Sequence, residues 1–165
     1  MEIGAFEMGI RGNMWITDSH NEHVRGNCSI QNRDGSIEVL SMTHKVSLPA
    51  DMKTGKLTGN RIHTPVTIMK LIDEATPFLN KACCTGELLP QVRIDLWHIS
   101  QHGKEENYFT YQLANVRVVG VSPIISGTED NFAEDKEKIA LMYESITWAH
   151  HDGNHEYTDS WLVRS

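Results

Sequence analysis

A chain of 165 residues is long enough to bury one proper core, and its 39% apolar and 22% charged fractions are ordinary for a soluble globular protein. Its net charge of −7 argues against a nucleic-acid partner, which would ask for a basic face. No apolar run reaches the length of a membrane span, so stable membrane insertion is not expected. The three cysteines, Cys28 and the adjacent Cys83 and Cys84, make no disulfide framework.

Met1 to Asn13 holds Glu2 and Glu7 without a sustained apolar stretch, so it is not a Sec signal. It reads as an N-terminal extension, residues 1–13, ahead of a single domain, 14–165. Period-two alternation dominates that domain. Met14–Thr17 is a short strand. Ser36–Leu48 places Ile37 and Val39 on one face, then Leu40, Met42, Val46 and Leu48 on the other. Pro49–Arg61 is a long loop with Gly55, Gly59, three cations, and only Met52 and Leu57 as sizeable apolar residues. Ile62–Ile72 is a strand in which Pro65 marks an edge or a bulge.

Thr76 is a credible N-cap with Pro77 at the first helical position, and Leu79, Ala82 and Cys83 share one face. Gly86 supplies a left-handed stop. So short a helix must dock on the sheets. Strands follow at Gln91–Ile99 and Tyr108–Val121, joined by the hairpin Ser100–Glu106. In the second, Phe109, Tyr111 and Leu113 give way to Val116 and Val118 on the opposite parity. Ser122–Lys136 is an acidic loop around Phe132. Glu137–Ala149 switches parity again, and Asp152-Gly153-Asn154 turns into a last strand, Tyr157–Trp161. A one-residue change of register inverts every following side chain. Three such changes without Gly or Pro predict strands that bend between packed sheets rather than pairs of strands joined by tight turns. The fold class is therefore mainly β: two packed antiparallel sheets in a barrel-like sandwich with one short helix.

No catalytic constellation emerges. There is no GxSxG elbow and no Gly-rich phosphate loop. Asp95 and His98, three apart on a strand, point to opposite faces. Cys83 and Cys84 diverge on the helix and form no redox pair. His44, between Met42 and Val46, reads as a hydrogen-bonded buried or interfacial histidine. His150, His151 and His155 surround the last turn, but no zinc spacing is present. The residues leave three classes open: a self-assembling β protein, a small metal-binding hydrolase using that hairpin, or a monomeric ligand-binding barrel. No catalytic, cofactor or metal residue is assigned.

Several stretches, in order, resemble the haemolysin-coregulated protein (Hcp) family, the tube protein of bacterial type VI secretion. They are Asp34-Gly35-Ser36-Ile37-Glu38-Val39, then Thr54-Gly55-Lys56-Leu57-Thr58-Gly59-Asn60-Arg61-Ile62-His63-Thr64-Pro65-Val66, and Asp73 with Thr76-Pro77 and Thr85-Gly86. Leu113 to Val119, Tyr143-Glu144-Ser145-Ile146-Thr147-Trp148, and Asp159-Ser160-Trp161 follow. The resemblance implies a phage tail-tube-like fold and homohexameric rings stacked into a tube. It also implies effectors in the lumen, contacts with sheath and baseplate or spike proteins, and secretion from the cytoplasm by the apparatus itself. It implies that Pro49–Arg61 is the family's extended loop, with Met52, Lys53, Thr54, Lys56, Leu57, Arg61 and the adjacent His63 as ring or stacking contacts. No cofactor is expected.

Overall fold

The computed structural model describes residues 12–125 and 135–161. Its organising element is a long strand, β9 (Glu105–Ile124), that belongs to two layers at once. On one side β9 pairs with β8 (Leu89–Ile99), and β8 pairs with β1 (Gly12–Thr17). The edges of β1 carry β2 (His23–Val24) and β3 (Ile37–Val39). The N-terminal half of β9 also pairs with β11 (Ser145–His150), which holds β12 (His155–Ser160). Its C-terminal half pairs instead with β10 (Lys136–Met142), followed by β7 (Val66–Leu71) and β4 (Ser41–Thr43). Among the described residues these ten strands form one continuous antiparallel sheet, bent over itself and not closed into a barrel. Met14, Ile16, Val92, Ile94, Val66, Ile68, Ile139 and Leu141 point into the space between the layers and are buried.

The parity changes read from the sequence mark where this sheet bends. In β9, Leu113 and Val116 are both buried although three apart, because Asn115 between them adopts φ 52°. Opposite, the chain leaves β10 at Met142 and resumes as β11 at Ser145. Both strands run antiparallel to β9, so this is a bend and not a hairpin. The amide of Glu144 reaches the carbonyls of Ala114 and Asn115 at 3.1 and 3.2 Å, and Asn115 Nδ2 donates to Glu144 Oε2 at 2.7 Å. The two strands are thereby kinked together.

Two segments are more broken than their patterns predict. Ser36–Leu48 forms three short strands: β3 on β1, β4 on β7, and β5 (Val46–Ser47). Ile62–Ile72 forms β6 (Ile62–His63) and β7, interrupted at Thr64-Pro65. Proline cannot donate to a ladder, and here it ends one strand rather than bulging it. β1 begins at Gly12, so the last two residues of the segment read as an extension belong to the sheet. Most of the acidic loop, residues 126–134, lies outside the described residues, as do 1–11 and 162–165.

The helix α1 (Thr76–Thr85) packs on β9 with Leu79 and Ala82 buried, and Gly86 closes it at φ 68°. Its N-cap is Ala75, which offers no side-chain cap, and not Thr76. The Thr76 hydroxyl is engaged elsewhere, accepting from the Asp73 amide at 3.0 Å and donating to Glu137 at 2.6 Å. Behind this lies Lys70, which follows Val66 and Ile68 on the core parity of β7 and is fully buried. Its ammonium donates to Glu137 Oε2 at 2.5 Å, to Asp73 Oδ1 at 2.9 Å and to the Leu71 carbonyl at 2.8 Å. A buried cation is tolerated only with such partners. The arrangement ties β7, β10 and the start of α1 at one point.

Replacing Lys70 alone leaves Glu137 and Asp73 buried without their cation. Lys70→Ala is expected to cost roughly 3–5 kcal/mol, read as a lower urea midpoint with an unchanged slope. The pair Lys70→Met with Glu137→Leu is expected to cost clearly less. Equal losses for the single and the paired change would show that charge satisfaction is not what the site contributes.

Candidate functional site

Residues 44–64 stand apart as an arm: β5 and β6 pair only with each other, in a two-stranded ribbon separate from the main sheet. The loop between them is ordered by its own hydrogen bonds. Asp51 Oδ1 accepts the amides of Lys53 and Thr54 at 2.7 and 3.3 Å, and the Asp51 carbonyl accepts Gly55 N–H at 2.8 Å. Gly55 takes φ 72°, a left-handed turn position that suits glycine. The Asp51 amide donates to Lys56 O, and Ala50 bridges to Leu57. This geometry presents Met52 at 97% exposure and Leu57 at 64%, with Val46, Leu48 and Ile62 also exposed. Lys45, Lys53, Lys56 and Arg61 face a single acid, Asp51, in this segment of a net acidic chain.

Of the residues predicted as contacts, Met52, Lys53, Thr54, Lys56 and Leu57 lie together on the exposed tip. Arg61 and His63 lie at the root and turn inward. Arg61 Nε donates to Asp159 Oδ2 at 2.6 Å, and its terminal nitrogen to the Ser160 carbonyl at 2.8 Å. His63 is buried, with Nε2 at 2.7 Å from the same Asp159 oxygen and Nδ1 at 2.5 Å from the Tyr143 hydroxyl. Its ring lies 4.8 Å from that of Trp161. His44 Nε2 reaches the same hydroxyl at 2.7 Å, so the interfacial or buried histidine expected there joins the same chain. With both rings neutral, one proton order satisfies every contact. His63 Nε2–H donates to the carboxylate, Tyr143 O–H donates to His63 Nδ1, and His44 Nε2–H donates to the Tyr143 oxygen. These side chains tie the arm to the edge strand β12, where no backbone ladder does.

Burial, and secondarily His63, hold His44 below its ordinary value. Burial opposes ionisation of Asp159, but hydrogen bonds from Arg61 and His63 outweigh it and keep the carboxyl below the usual carboxylate range. Burial, then the Asp159 charge, push the Tyr143 phenol up, so it remains a protonated donor. Beside the root opens a largely apolar cavity of about 550 Å³, with Val119, Met142, Tyr143 and Trp161 in its wall and Arg117 and Glu144 at its polar positions.

The remaining candidates separate. Asp95 is buried and accepts from the Thr110 hydroxyl at 2.7 Å, while His98 stacks on Tyr108 at 4.6 Å, so they form no pair. The three hairpin histidines turn to different partners. His151 Nε2 meets Thr110 Oγ1 at 2.8 Å, His150 Nδ1 meets the Asp152 carbonyl at 3.0 Å, and the His155 ring lies over Gly153. Among the described residues no three His, Cys, Asp or Glu side chains converge as a metal site. Cys83 is half-buried in the helix and Cys84 exposed. The tie through Tyr143 and Asp159 escaped the sequence reading, because both sit in strands whose pattern says only which face they take.

The fold defines the class of the chain: an edge-bearing, mainly β domain with one short helix and a projecting two-stranded arm. The chain matches the family described as "Type VI secretion system effector, Hcp" over residues 13–150, and it belongs to that family. The "Major exported protein" of Pseudomonas aeruginosa is 29% identical over 157 residues, covering 93% of this chain and 91% of that one. A double mutant of Hcp1 from E. coli EAEC 042 superposes with a TM-score of 0.84 at 39% identity, covering 93% of this chain and all of that one. Secreted protein Hcp3 of P. aeruginosa shares the fold, with a TM-score of 0.74 at 24% identity over 91% of this chain and 99% of that one. The chain is thus a secreted, non-enzymatic protein of the type VI system.

The histidine chain predicts a pH response. Because the folded state resists protonating His44, stability is full above pH 6.5 and falls as pH drops below that value, when the unfolded chain takes up the proton first. Asp159 adds a second fall beginning near its ordinary value of 3.8. Urea midpoints measured from pH 8 to pH 3 should show both, and His44→Phe should flatten the first while sparing the second. An unchanged near-neutral fall in that variant would mean that His44 is not its source.

Proposed function

We propose that this chain builds homohexameric rings that stack into the inner tube of the type VI apparatus. The tube carries effectors in its lumen and leaves the cytoplasm when the apparatus fires, inside a sheath and behind a baseplate-borne spike. The observation that carries this reading is the arm. A two-stranded ribbon is marginal alone, and among the described residues this one leaves Met52, Leu57 and Ile62 exposed. Among the described residues β12 and β4 end the strand pairing of the sheet, which supports it as well, since a sheet edge is a template for another chain and ring closure covers it. Membership of the Hcp family supplies the setting.

Size-exclusion with light scattering over a concentration series, together with negative-stain images, tests the reading; ring-shaped particles of six copies are expected. A strict monomer at every concentration and salt would reject it. Deleting residues 50–60 should leave the urea midpoint near that of the full chain, because among the described residues the backbone hydrogen bonds of the tip stay within the arm, but should abolish stacking or secretion. Normal stacking after that deletion would remove the arm from the assembly contacts.

A further inference from the structure

On the face of the sheet turned away from the core lies a second cavity, of about 550 Å³, across β8, β9, β11 and β12. We propose that it binds a short neutral saccharide, whose hydroxyls complete the hydrogen bonds that Arg93 and Asn107 leave open.

Strand parity builds the cavity. Val92 and Ile94 of β8, Leu113 of β9 and Ile146 of β11 are buried in the core, so the residues between them face the other way. The register sets these in two rungs. Arg93, Gln112 and Thr147 form one; Asp95, Thr110, Ala149 and Glu156 form the next. With strands about 4.8 Å apart, the second rung runs roughly 14 Å. Ala149, between Thr110 and Glu156, has only a methyl group and leaves the floor low. Thr110 donates to Asp95 Oδ1 at 2.7 Å, so its oxygen accepts from His151 Nε2 at 2.8 Å and from Asn107 Nδ2 at 3.3 Å. That contact fixes the Asn107 amide and leaves Oδ1 over. Trp15, opposite Arg93 on β1, stacks against the guanidinium at 4.5 Å and holds its fork flat.

Among the described residues five buried side-chain nitrogen or oxygen atoms lack a hydrogen bond, and three of them, Arg93 Nε, Trp97 Nε1 and Asn107 Oδ1, belong to this face. Trp97 is the cross-strand partner of Asn107. A fourth, Arg33 Nε, belongs to the guanidinium that lies 4.3 Å over the Trp97 ring. Buried polar atoms are costly to leave unmatched, and their gathering at one cavity marks it for a polar ligand. The set holds donors and an acceptor, and the lining holds both signs. Arg93 Nε lies 3.3 Å from Asp95 Oδ2, and Glu156 stands across the floor. A phosphate or carboxylate would meet the two acids, and a cation would meet Arg93. A hydroxyl both donates and accepts, so a neutral polyol matches both kinds of open atom without burying a net charge. Ala149 is the one aliphatic residue of the lining, so an apolar ligand gains little there. An extended peptide adds to a sheet edge, whereas β8, β9 and β11 are each paired on both sides.

Saturation-transfer difference spectra of the full-length protein with maltose, cellobiose and N,N′-diacetylchitobiose test the site, followed by calorimetric titration of whichever gives the strongest signal. At least one disaccharide is expected to bind. Its affinity should fall about tenfold in Arg93→Ala, the scale of one lost charge-assisted hydrogen bond. Ala149→Leu raises the floor while keeping every polar group, and should weaken binding as much; Lys53→Ala, on the arm, should leave it unchanged. Circular dichroism should show all three variants folded. No signal from any of the three disaccharides would overturn the proposal. Undiminished binding to a folded Ala149→Leu protein would overturn it too, since the sugar would then sit elsewhere. Tighter binding of glucuronate or of trialanine than of the disaccharides would reject a neutral saccharide in favour of an anion or a peptide.

Discussion

Everything in this protein hangs on the shared kink between β9 and the β10–β11 run. A strand that serves two layers must turn its side chains from one to the other without losing its ladder. Here the left-handed Asn115 and the Glu144 amide, held between two carbonyls, achieve that. The same kink sets Tyr143 at the corner, and Tyr143 is the hydroxyl on which both arm histidines converge. The bend that makes the sandwich therefore also positions the arm's root and one wall of the cavity beside it.

Two polar clusters lie at opposite kinds of boundary. Lys70 with Glu137 and Asp73 sits where a helix must begin against strands, at a point with no capping side chain from Ala75. Arg61, His63, Tyr143 and Asp159 sit where the sheet stops pairing. In both, charged hydrogen bonds take over from backbone pairing, and each group is costly to leave unmatched. This is why Lys70 occupies core parity in β7 and Asp159 stands at the half-buried end of β12.

Much of the fold is written in the chain's parity, because a buried face must alternate and a bend must break the alternation. Leu113 and Val116, or Tyr143 and Ile146, record a bend directly. The helix stop at Gly86 and the turn at Asp152-Gly153-Asn154 are equally local. The second break in Ser36–Leu48 was hidden, because β3, β4 and β5 are each too short to show a period. Lys70 reads as an ordinary surface lysine until Glu137 is known to lie across from it. His63 is adjacent to an exposed loop, and nothing in its neighbours discloses that Asp159, some ninety residues later, draws it inside. The exposed tip could be read because its glycines and lysines leave no apolar period; the cavity could not, since its wall comes from β9, β10 and the far end of β12.

The Asp51 carboxylate, described as a turn former, also has a kinetic consequence. By holding the amides of Lys53 and Thr54, it leaves the arm tip little backbone freedom to lose on contact with another surface. A tip already in its bound shape sacrifices less entropy on docking than a slack loop of equal length. In the proposed assembly, subunits bearing such a tip would join without waiting for each loop to find its conformation.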